Sequence, residues 1–138
     1  MGISIKGLYA DSPVYDMGYI TFFALRRDIA YTISEEFGQH YSDMPKAGFI
    51  GFDEYDRRTE ELIKKHHCKE RFLSFLYQSD CNGKLSPYKC KALLDQINGM
   101  QSKKLYGYTA YPNCCLTIDK FRELLKECFD RKVYLVWY

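Results

Sequence analysis

The residues best equipped for chemistry are six cysteines, Cys68, Cys81, Cys90, Cys114, Cys115 and Cys128, and three histidines, His40, His66 and His67. A nucleophilic Cys114 or Cys115 would need an imidazole within hydrogen-bond reach and a third group to orient it. No local motif in the chain brings one there. The run His66-His67-Cys68, with Cys81 and Cys90 downstream, offers donors that zinc prefers. Structural zinc sites present paired ligands two to four residues apart on each side of a turn, and Cys81 and Cys90 stand singly. No metal and no cofactor is expected. The Gly-x-Ser-x-Gly elbow, the His-Glu-x-x-His helix, the Walker loop and the Gly-x-Gly-x-x-Gly turn are all missing. The acidic pairs Glu35-Glu36 and Glu60-Glu61 fall in polar helical stretches and read as solvated faces. No catalytic residue is assigned.

Between Phe72 and Ile97 the chain reads FLSFLYQSDCNGKLSPYKCKALLDQI. With Gly83 as the sixth loop residue, Asp80 and Asn82 stand at the third and fifth positions of a calcium loop and Leu85 at the apolar eighth. Cys90, Leu93, Leu94 and Ile97 follow with the apolar spacing of an exiting helix. The segment resembles a degenerate EF-hand. Gln78 replaces the first acidic ligand, and Lys89 stands where a bidentate carboxylate belongs. The resemblance therefore implies a helix-loop-helix scaffold without calcium, used as a rigid joint, because EF-hand affinity follows ligand charge.

Lys104 to Tyr111, KLYGYTAY, supplies a second pattern. Lys104, Tyr106, Gly107 and Tyr111 match the aromatic strand of an RNA-recognition motif, which this stretch resembles. That family would stack bases on the aromatics and pair the cation with phosphate. Leu105 stands where glycine is expected, and the companion strand from Ile3 to Leu8 places Ser4 where an aromatic belongs. About four helical segments intervene where one helix and a strand would serve. RNA or single-stranded nucleic-acid binding is thus the alternative reading, and a cysteine-dependent enzyme a further one.

Thirteen tyrosines, nine phenylalanines and one tryptophan are the main compositional excess. Tyrosine brings rigid contact area at low entropy cost and is enriched at interfaces. Tyr41, Tyr106, Tyr108 and Tyr111, in or beside irregular segments, are the expected partner-facing residues.

The elements that must position these groups follow from periodicity. Ile3 and Ile5 alternate with polar neighbours as in a half-buried strand, which Asp11 to Gly18 breaks. From Tyr19, the positions Phe22, Leu25 or Arg26, Ile29, Ile33 and Phe37 repeat at helical spacing up to Gly38. Gln39 to Phe52, with Pro45, Gly48 and Gly51, reads as a long loop anchored on the core by Phe49, Ile50 and Phe52, and is a candidate functional surface. Asp53 caps a helix whose apolar face is Tyr55, Thr59, Leu62, Ile63 and His66, and Lys69 to Tyr77 comes next. Ser86-Pro87 opens a helix that Asn98-Gly99 stops. Thr117 caps a last helix with the stripe Phe121, Leu124, Leu125 and Cys128. Val133 to Tyr138 is a continuous β-favouring run, expected to be covered on both faces. The fold class is α+β. One compact domain over residues 1–138 holds about five helices around a small sheet formed by the N- and C-terminal strands, to which Leu105 to Tyr111 is a candidate addition.

Composition excludes extremes. Apolar residues are 46% and charged residues 28% of 138, with 20 basic against 18 acidic side chains, ordinary for a globular domain and poorly matched to a polyanion. No window approaches the ~18 apolar residues of a membrane span. The N-terminus lacks a leader pattern, and Lys6 stands where a myristoylation motif wants Ser or Thr. Cytoplasmic thiols are expected rather than disulfides. The reading with most support is a non-enzymatic protein-binding module with an unidentified protein partner, of the kind that serves as a small microbial or phage inhibitor, immunity factor or anti-defence factor.

Overall fold

The two chain ends lie side by side at the centre of one antiparallel sheet. A computed structural model describes residues 2–68 and 72–138. β1 (Ile3–Gly7) pairs with β2 (Val14–Met17) in the register Ile3 to Met17 and Ile5 to Tyr15, and on its other side with the C-terminal strand β4 (Leu135–Trp137). β3 (Gly83–Leu85) closes the order β2-β1-β4-β3. Ile3, Ile5, Tyr15, Met17, Leu85, Leu135 and Trp137 face the core. Tyr134 and Tyr138 remain exposed and Val136 half-buried. The C-terminal run is therefore covered on one face only, as an antiparallel sheet permits.

β2 lies in the stretch expected to break the strand pattern. Tyr15 and Met17 alternate inward, and Asp16 is accommodated because it accepts from Ser4 Oγ at 2.6 Å. Leu105 to Tyr111 adds no strand: Tyr106 forms only an isolated bridge to Leu116, and Gly107 at φ 154° turns the chain away.

Seven α-helices stand among the described residues. α1 (Tyr19–Ile33) and α2 (Glu35–Ser42) were expected as one helix. Ser34 separates them by taking an extended conformation while its Oγ accepts from Phe37 N at 3.0 Å. Gly38 consequently lies inside α2 and terminates nothing. Next come a 3-10 turn (Met44–Lys46), α3 (Ala47–Ile50) and α4 (Phe52–Lys65), so Gln39 to Phe52 is largely helical and not a loop. Asp53 sits in the first turn of α4 without capping it. α5 (Leu73–Tyr77) covers the end of the segment expected from Lys69 onward, and residues 69–71 lie outside the described residues.

α6 (Pro87–Ile97) begins at Ser86-Pro87, although the serine side chain makes no capping bond. α7 (Ile118–Arg131) is capped by Thr117, whose Oγ1 accepts from Lys120 N at 3.1 Å. α6 and α7 pack together, and Phe22, Phe75, Phe121 and Trp137 join α1, α5, α7 and the sheet through ring contacts of 5.2 to 6.1 Å.

Candidate functional site

The connection from α2 to α4 is too tight to bury every apolar side chain it carries. Asp43 N donates to Gln39 O and His40 O to end α2, Pro45 starts the 3-10 turn, and Gly51 N closes α3 on Ala47 O at 2.8 Å. Gly51, at φ 104°, then makes an elbow that a side chain would strain. Ala47 takes the inward position. Phe49, Ile50 and Phe52 are left 93%, 55% and 70% exposed. These residues were expected to anchor a loop on the core and instead form an apolar knuckle facing solvent. Gly48 precedes them and Gly51 interrupts them, and their spacing carried no signal of exposure, since Phe49, Phe52 and Tyr55 recur every three residues as a buried stripe would.

Beneath the knuckle, α2 and α4 meet along a polar seam. The His40 ring stacks on Tyr55 with centroids 4.0 Å apart, and Tyr55 OH donates to His40 O at 2.6 Å. His40 Nε2 lies 2.6 Å from Thr59 Oγ1, which itself donates to Tyr55 O at 3.0 Å. The hydroxyl proton being so used, Nε2 is the protonated nitrogen of a neutral ring. Burial lowers the His40 pKa and Arg58 adds to this, with Asp43 opposing. At the other end of the seam, His66 Nε2 lies 2.7 Å from Glu36 Oε1 and 3.3 Å from Ser34 Oγ. Lys65 and His66 together hold the Glu36 carboxyl below its ordinary range. A cleft of about 220 Å³, lined by Glu36, Asp43, Glu54, Tyr55, Arg58 and Ile50 among others, opens beside the knuckle.

The four tyrosines expected at a partner surface divide in two. Tyr41 is buried, stacked on Phe23 at 5.4 Å, and donates to Leu76 O at 2.8 Å. Desolvation pushes its hydroxyl up to about 12. Tyr106 is also buried and bonds Asp28 at 2.5 Å, burial and that carboxylate both raising its pKa. Neither ring presents a surface, because each found an acceptor inside the fold. Tyr108 and Tyr111 are exposed. They lie on a loop that the Tyr106 to Leu116 bridge closes and that Cys115 Sγ holds by donating to Tyr108 O at 3.3 Å. Lys104 pairs with Asp28. The pattern resembling an RNA-recognition strand thus has its central aromatic in the core and its cation neutralised.

Cys115 has no histidine among its hydrogen-bond partners. Cys115 is buried, with its hydrogen bonds running to backbone carbonyls, while His40 and His66 are engaged on the α2–α4 seam. Cys90 and Cys128 face one another between α6 and α7, and the hydrogen bond between them, with burial, raises the Cys90 pKa. Among the described residues, no three His, Cys, Asp or Glu side chains gather as metal ligands would.

The segment with a calcium-loop layout is tied by protein groups. Gln78 Oε1 accepts from Lys84 N at 3.0 Å, and its Nε2 donates to Lys84 O at 2.7 Å. The first and seventh loop positions, both of which would turn toward an ion, are thereby bonded to each other. Arg26 donates to Gln78 O at 3.0 Å and Trp137 Nε1 to Ser79 O at 2.8 Å. A groove of about 1010 Å³ beside α6 has apolar walls from Ile33, Phe72, Tyr88 and Phe129, but His66 and Lys91 on its rim are already paired with Glu36 and Asp95.

No family model, no curated protein and no solved structure matches the chain.

Proposed function

We propose that the chain is a non-enzymatic protein-binding module that docks its partner through Phe49, Ile50 and Phe52. The observation that carries this reading is three large apolar side chains exposed within four residues on a helical elbow. Scattered exposed apolar residues are ordinary, whereas a contiguous apolar projection is a common mark of an interaction surface. Aromatic side chains give such surfaces most of their binding energy. A cytoplasmic role as a small microbial or phage inhibitor, immunity factor or anti-defence factor suits a module of this size that works by occupying a partner. The loop over residues 78–89 then acts as an ion-free joint between helices.

Site-directed photo-crosslinking tests the assignment. A benzophenone side chain in place of Phe49 is expected to give a discrete protein adduct in lysate of the native source, while the same group at Lys126, an exposed position on α7, gives none. Equal adducts from both positions, or adducts only from Tyr111, would overturn it.

A further inference from the structure

A buried histidine closes the α2–α4 seam at one end and an ion pair at the other. At the end nearest the knuckle, His40 is 6% exposed and neutral, with its Nε2 proton committed to Thr59. A second proton would put a cation into the buried stack on Tyr55. The groups facing it are Glu36 and Asp43 from its own helix and Glu54, Tyr55 and Arg58 from α4, with Ile50 from α3. Asp43 would attract the new charge and Arg58 repel it, but Asp43 already accepts from Gln39 and Glu54 is bonded by Arg57. Burial and Arg58 therefore prevail, and the stacked ring resists protonation in its docked position. At the far end, Glu36 Oε1 lies 2.7 Å from both Lys65 Nζ and His66 Nε2.

Resting on the reading that the knuckle docks a partner, we propose that this seam is an acid-operated hinge: acidification frees the corner between α3 and α4 that carries Phe49, Ile50 and Phe52, while the Lys65–Glu36 pair holds the far end. Gly51 supplies the flexible point ahead of α4. The docking surface is held at one angle near neutral pH and loosens as the pH falls below the ordinary histidine range.

Hydrogen exchange resolved along the chain tests this without any partner, so it stands or falls separately from the docking assignment. After correction for intrinsic rates, amides of residues 47–60 are expected to exchange several-fold faster at about pH 5 than at about pH 7.5, with residues 61–66 unchanged. His40→Gln should abolish the difference. In the unmutated protein, the midpoint of the amide changes should coincide with the titration of the His40 ring followed by NMR. Equal acceleration of both halves, no pH dependence, or a midpoint that follows another group would overturn the proposal.

Discussion

Arg26 shows how much one side chain can depend on its surroundings. Its guanidinium lies 4.3 Å over the Phe22 ring, with Phe75 and Trp137 at 5.7 Å, and donates to Gln78 O. Burial works against its charge, and Tyr41 and Asp80 support it. Arg26→Met keeps the apolar stem but takes the guanidinium donor from Gln78 O, while Ser79 O keeps Trp137 Nε1, and should cost about 2 kcal/mol in urea unfolding. Gly83→Ala is expected to cost a similar ~1–3 kcal/mol through overpacking, because its Cβ would fall 2.0 Å from the Trp137 ring. The periodic pattern left Leu25 and Arg26 as alternatives, and the structure buries both. Tyr41 and Tyr106 could not be placed from sequence because their acceptors, Leu76 O and Asp28, are distant along the chain. His40 carries a pH dependence of known sign. With its folded pKa lowered, its contribution to stability is full above the ordinary value of 6.5 and is lost as pH falls from there toward the lower folded value. The urea midpoint should accordingly fall between about pH 7.5 and pH 5.5, and fall less in His40→Gln.

Among the elements, the segment over residues 72–97 departs furthest from what its pattern implies. Its helix-loop-helix order is present, with a three-residue strand inside the loop. The bonds that bring Gln78 onto Lys84 come from an amide side chain where an ion-binding loop would use carboxylates. A calorimetric calcium titration is expected to give no binding heat, and Gln78→Ala should cost about 1–2 kcal/mol by removing two hydrogen bonds. Helix starts at Pro87 and Thr117 were legible because proline and threonine act within one turn. The span from Gln39 to Phe52 was not, since its helices are only 4 to 8 residues long and two glycines and a proline mask them.

At the scale of the whole molecule, the α+β class and the pairing of the chain ends could be read from the β-favouring residues at both termini. β2 and β3 could not, being 4 and 3 residues long and recruited by neighbours. Because β4 lies between β1 and β3 and brings Trp137 into the aromatic cluster, removing residues 135–138 should abolish the cooperative unfolding transition in circular dichroism. The knuckle lies outside this economy of packing. Phe49→Glu with Phe52→Glu should shift stability by no more than ~0.5 kcal/mol for each exposed site. The most direct test of the central claim is therefore quantitative capture from lysate of the native source by the unmutated protein and by this double variant, with melting temperatures measured in parallel. The account predicts that a partner retained by the unmutated protein is lost from the variant while the melting temperature holds. Equal retention by the two proteins would contradict it.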